Sequence, residues 1–288
     1  MDNLDIKDPL FHEAVEAIDN GNISSLQNLL KRNPGLISKR LDTPTDGYFA
    51  HPYLMWFVAE NPIRHEKLPV NIIDVTRILI DAARKNALGS FHDQINYTLG
   101  LIATGRIPRE SGVQNEWIDL LIDNGATPGN AIGALAHGNI DAARHLIRHG
   151  GKLILATAIG LDMQDDILRL SKNASNTDLE IALMMAAFYG KHDKIKFLIG
   201  LGVDVNKYID RLSGFHSHAT ALHQAVFSTS LESVKVLVDA GADRNAKDLI
   251  YDGTPLDWAI YMQKEEPDEM KKKKYKEIEN YLHDKLSH

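Results

Sequence analysis

Apolar residues recur at three- and four-residue intervals in a series of short windows, the spacing that gathers them on one face of a helix. The windows are Ile23-Leu26-Leu29-Leu30, Ile73-Val75-Ile78-Leu79-Ile80, Trp117-Ile118-Leu120-Leu121-Ile122 and Ile140-Ala143-Leu146-Ile147. They continue with Ile167-Leu168-Leu170, Ile195-Phe197-Leu198-Ile199, Leu231-Val234-Leu237-Val238 and a terminal Ile278-Tyr281-Leu282. Each window predicts the second helix of a helix pair, so the chain divides into about eight helix-turn-helix units from Asp8 to the C-terminus. One such pair cannot bury its apolar stripe alone; the units must stack to make a continuous core.

The punctuation fits these windows. Gly125, Gly150, Gly202 and Gly241 each follow a second helix, where the left-handed residue that ends a helix costs glycine little. Thr254 stands as an N-cap, Pro255 at the first helical position, and Asp257 at the third, where it completes a capping box.

The phrase Thr254-Pro255-Leu256-Asp257-Trp258-Ala259 repeats Thr220-Ala221-Leu222-His223-Gln224-Ala225 after 34 residues. Together with the helix end Val236-Leu237-Val238-Asp239-Ala240-Gly241-Ala242-Asp243, it resembles the ankyrin repeat. The resemblance implies an all-α ankyrin-repeat solenoid with short finger loops. It further implies one domain over residues 1–288: a capping unit at 1–40, internal repeats at 41–250, and a last repeat with capping helix at 251–288. It also implies that His223 holds the position whose imidazole braces adjacent loops.

The repeats are irregular. The loop from Arg40 to Tyr53 is long, and insertions at Pro62–Val70 and Ile107–Val113 each separate the two helices of one repeat. These padded early repeats, with Tyr97-Thr98-Leu99-Gly100-Leu101 through Asn124-Gly125-Ala126, are similar to a bacterial group of ankyrin proteins. The fourth and fifth units are short, with no room for a finger after Gly150-Gly151, and predict a bare notch. The seventh has an enlarged finger, Asp204–Ala219.

Composition removes several alternatives. A net charge of −7 disfavours general affinity for nucleic acid or anionic membrane. The absence of cysteine rules out a disulfide framework and thiolate chemistry. No apolar run approaches the roughly 20 residues that span a bilayer, and the acidic first residues do not read as a secretory leader. The expectation is a monomeric cytoplasmic protein.

Ankyrin proteins generally meet partners through finger tips and the exposed ends of first helices on a concave side. The aligned positions here are Asp19-Asn20, Glu60-Asn61, Ala103-Thr104, Ala136-His137, Gly160-Leu161, Phe188-Tyr189, Phe227-Ser228 and Tyr261-Met262. They run from polar to aromatic, and exposed aromatic rings favour binding because they supply area with few rotors. Phe188, Tyr189, Phe227, Tyr261 and Met262, with Tyr208, Arg211, Phe215 and His216 from the enlarged finger, are the candidate residues for an unidentified protein partner. Packing of these rings against neighbouring fingers or the C-terminal cap is the competing reading.

Other chemistry is poorly supported. His216, His218 and His223 have no neighbouring carboxylate or cysteine in sequence to complete a four-ligand shell. His145 and His149 share a helix face that reads as a solvated last turn. The run Lys271–Lys276 follows Glu265-Glu266-Pro267-Asp268-Glu269 and reads as the solvated face of a capping helix. Phosphate-binding glycine loops, a nucleophile elbow and a His-Glu-x-x-His zinc helix are absent. The chain therefore reads as a non-catalytic interaction scaffold or regulator without cofactor or metal. The alternative is a metal- or small-molecule-dependent sensor or enzyme using the notch between the short central repeats.

Overall fold

Helices dominate the computed structural model, which describes residues 6–42, 47–209 and 215–286. Beyond them, the described residues form one isolated antiparallel bridge, between Arg40 and Tyr53, and no named strand. Two compact units divide the chain, residues 1–152 and 153–288.

In residues 1–152 the pairs are α1 (Pro9–Asp19) with α2 (Ile23–Arg32), and a 3-10 helix (Leu54–Ala59) with α3 (Ile72–Asn86). Then come α4 (Phe91–Thr104), the short α5 (Arg106–Glu110) and α6 (Gln114–Asp123), followed by α7 (Ile132–Ala136) with α8 (Ile140–Arg148). Every apolar window of the sequence lies on a second helix. The first helix of the second pair departs from the α-helical expectation: all six of its residues are buried, leaving no polar face to hold a longer amphipathic helix at the surface. Phe57 meets Phe11 edge to face at 5.7 Å, and Trp117, fully buried, donates its indole N–H to Thr76 Oγ1 at 2.9 Å.

Both early insertions are folded segments. Glu60, buried at φ 55°, turns its carboxylate onto the backbone N–H groups of Arg64, His65 and Glu66. Arg64 in turn lies between two buried carboxylates, donating Nε–H to Asp19 at 2.9 Å and placing Nη2 3.1 Å from Glu60. Arg106 then joins the insertions, with Glu66 at 3.3 Å and Glu110 at 3.0 Å. A cleft of about 350 Å³ lies between them, walled by Pro69, Val70, Ile107 and Val113.

In residues 153–288 the pairs are α9 (Leu155–Gly160) with α10 (Gln164–Ser171), and α11 (Asn176–Phe188) with α12 (His192–Gly200). They continue with α13 (Ala221–Phe227) and α14 (Leu231–Asp239), then α15 (Pro255–Glu265) and α16 (Glu269–Leu286). Eight pairs are thus present among the described residues. α11 packs between α9 and α13, and its stretch Ala182–Ala187 is wholly buried, because a helix apolar all round must lie inside. Gly190 turns the chain into α12 at φ +63°, where a Cβ would come within 2.8 Å of Ser230. Capping boxes start α11 (Ser175 with Asp178) and α15 (Thr254 with Asp257).

The lysine run lies on α16. Lys271, Lys272 and Lys276 pair with Glu266, Glu269 and Glu279, while Tyr275, Ile278 and Leu282 form the buried stripe.

Candidate functional site

The candidate aromatic residues come together in residues 153–288, and they do so by packing on one another. Phe188 ends α11 with Tyr189 as its cap, and Phe227 ends α13. Corresponding positions on successive first helices face each other across the stack. Phe188 and Phe227 lie 5.5 Å apart, nearly parallel at 21°. Tyr189 and Phe215 meet Phe188 edge on, at 5.3 and 5.2 Å.

The finger before α13 carries the chain of rings onward. His216 sets its edge against Phe227 at 4.7 Å and against Trp258 at 5.2 Å. His218 lies 5.8 Å from both Trp258 and Tyr251. Rings therefore run without a break from Tyr189 to Tyr251. Such pairs each contribute about 0.5–1.5 kcal/mol beyond area burial, so the face they make is stiff.

Stiffness comes at the expense of exposure. Phe188, Tyr189, Tyr208, His216, Phe227 and Met262 are half-buried, and Phe215 is buried. Tyr261 remains open to solvent, with 61 % of its surface accessible. The stripe expected to stand clear is thus largely covered by its own members, since rings stacked about 5 Å apart hide one another's faces. Burial pushes the Tyr189 phenol up to about 12. Tyr275 of α16 donates its hydroxyl to the Phe227 carbonyl at 3.1 Å, tying that helix to the ladder. Tyr208 donates to the Lys247 carbonyl at 2.7 Å, joining one finger to the next. Arg211 lies outside the described residues.

The histidines of this region have structural partners. Trp258 sits amid His216, His218 and His223, with His223 at 5.0 Å. Nδ1 of His223 accepts from the Thr220 backbone N–H, so its Nε2–H donates to the Gly253 carbonyl at 3.0 Å. The imidazole links its own helix start to the next finger. Burial holds its pKa below the usual 6.5, against the opposing pull of the Gly253 carbonyl. Burial, followed by neighbouring His218, also lowers His216.

The sequence reading overlooked the finger tip Leu249-Ile250-Tyr251, whose residues are 69, 63 and 76 % exposed. Three successive apolar residues on a loop were the available signal, and a search for helical periods passes over them. Asp248 shapes the tip. One carboxylate oxygen accepts from the Ile250 and Tyr251 N–H groups; the other accepts from Gly253 N–H and the Trp258 indole. Burial alone would raise this carboxyl, but the hydrogen bonds from Tyr251, Trp258, Ile250 and Gly253 outweigh it and hold it at about 2. The Leu249 N–H donates to the His218 carbonyl at 2.8 Å, fastening the tip to the neighbouring finger.

A family model for ankyrin repeats (3 copies) matches residues 111–248 and 183–266, together more than half of the chain. No curated protein matches the chain. Among the described residues, no helix is long and apolar enough to cross a membrane.

Proposed function

Since the chain belongs to the ankyrin-repeat family, whose members generally mediate protein–protein interaction, we propose that it is a non-catalytic scaffold or regulator of a cytosolic protein partner. The contact face is the one built by the fingers and first-helix ends of residues 153–288. Its outer layer is Leu249, Ile250, Tyr251 and Tyr261, and the half-buried ladder of Phe188, Tyr189, Phe227 and His216 is the rigid backing. Met262, Tyr208, Phe215 and Arg211 belong to the same region of sequence.

The observation that carries this reading is the finger tip. Three exposed apolar side chains stand on a loop whose backbone is locked by Asp248. Exposed apolar area on an ordered loop favours binding, because little conformational entropy remains to be lost on association. The charged outer face of α16 supports a monomer capped at that end.

The test is cross-linking affinity capture from the native host with the wild type and a Leu249→Ser/Ile250→Ser/Tyr251→Ser/Tyr261→Ser variant of unchanged circular dichroism. A partner captured by the wild type and lost from the variant supports the assignment. A partner retained by both removes the binding face from this finger.

A further inference from the structure

Two histidines one helical turn apart meet a carboxylate from an adjacent helix within residues 1–152. Asp119 is on α6, His145 is on α8, and His149 caps the end of α8. His145 Nε2 lies 2.6 Å from Asp119 Oδ1, and His149 Nδ1 lies 3.4 Å from that same oxygen. The two imidazoles stack with centroids 4.3 Å apart and planes 26° from parallel. All three ligand atoms fall within 4.8 Å of one another, and no other such group of His, Cys, Asp or Glu occurs among the described residues.

A hydrogen bond accounts for half of this arrangement. The contact from His145 to Asp119 has good length, but 3.4 Å is beyond the usual range for the second imidazole. A metal ion gathers all three groups once the stacked imidazoles turn so that both ring planes pass through it. Zinc takes imidazole nitrogen and carboxylate oxygen at about 2.0–2.2 Å in a tetrahedron, which spaces neighbouring ligand atoms by roughly 3.4 Å. Opening the shorter contact by somewhat under an ångström brings the Asp119 oxygen to that spacing, and the side chain is 39 % exposed and has room to turn.

Other features agree. Histidines at i and i+4 are the pair by which a helix presents two nitrogens to one ion. The carbonyl end of α8 adds negative potential beside His149. His149 is partly exposed, which leaves a path for the ion and room for water as a fourth ligand. Two imidazoles and one carboxylate suit zinc and related first-row ions, whereas magnesium and calcium require mostly oxygen ligands.

We propose that Asp119, His145 and His149 bind one divalent ion of the zinc class and thereby clip α6 to α8. The role is structural, since a bound ion holds two successive second helices together and stabilises that part of the stack.

The experiment is calorimetric titration of zinc chloride into the full chain after chelator treatment. Micromolar binding of one equivalent is expected, accompanied by a rise in Tm that magnesium does not reproduce. Asp119→Ala, His145→Ala and His149→Ala should each weaken binding by at least the about 10- to 100-fold that loss of an outer-shell partner costs. Cobalt substitution should give the visible absorption of a tetrahedral site, lost in His149→Ala. That side chain lies at the surface, so this variant keeps its fold and keeps the test decisive should His145→Ala misfold. The proposal is overturned if the wild type binds no zinc at micromolar protein. It is equally overturned if His149→Ala and Asp119→Ala bind with unchanged stoichiometry and affinity, which would place the ion on other histidines.

Discussion

Replacing Asp248 with Asn keeps the side-chain volume but removes a charge and one acceptor from the finger that presents Leu249-Ile250-Tyr251. Asp248 is only 2 % exposed, so solvent does little to screen its interactions. Its carboxyl is held at about 2 rather than 3.8, a difference that contributes about 2 kcal/mol at neutral pH. Asn also turns an NH₂ group toward two donors, Gly253 N–H and the Trp258 indole, adding roughly 1–2 kcal/mol for groups left unsatisfied. The expected loss at pH 7 is about 3–4 kcal/mol.

Because the folded pKa is depressed, the ionic contribution is fully present above the unfolded value near 3.8 and is lost as pH falls through about 2. The gap between wild type and Asp248→Asn should therefore narrow by about 2 kcal/mol between pH 5 and pH 2. Urea unfolding across that range measures it, with amide exchange in α13 and α15 reporting the repeat locally. Parallel stability curves, or a carboxyl ¹³C titration midpoint near 3.8, would refute the reasoning.

Arg64→Ala strands the buried carboxylates of Asp19 and Glu60 and should cost about 3 kcal/mol by urea unfolding; a loss below about 1 kcal/mol would mean that the backbone donors to Glu60 suffice. Thr254→Ala removes the capping box of α15 and should cost about 1 kcal/mol, seen as faster amide exchange in its first turn. Burial keeps His223 below 6.5, so its contribution is fully present above pH 6.5 and falls away on acidification toward its folded value. Nitrogen NMR above pH 6.5 should accordingly find a neutral imidazole protonated at Nε2, with imidazolium forming only at lower pH than in a free histidine; an imidazolium above pH 6.5 would contradict the hydrogen bonds drawn for it.

The second helices were readable along the chain because helical period and capping act over a few residues. Thr254, Pro255 and Asp257 start α15 by contacts within one turn, and the repeated phrase carried the family likeness that the match over residues 111–266 then showed. The first helix of the second pair was less legible. Leu54–Ala59 carries no polar face, and periodicity gives no signal where every position is buried. Likewise, the insertion after Glu60 looks like an unstructured loop until Asp19 arrives from α1 to meet Arg64.

The aromatic candidates show the same division. Their recurrence at aligned positions of first helices is a local property that singled out Phe188, Phe227 and Tyr261, of which Phe188 and Phe227 end α11 and α13 while Tyr261 lies within α15. Their exposure is not local, since Phe188 is covered by Phe227 from the next repeat and by Phe215 from its finger. Asp119 and His149 are 30 residues apart in sequence yet share an oxygen–nitrogen contact of 3.4 Å. Spacing within a helix specifies which face a side chain takes; what waits on the other side of that face is specified by the stacking of repeats, an interaction between residues that no short window contains.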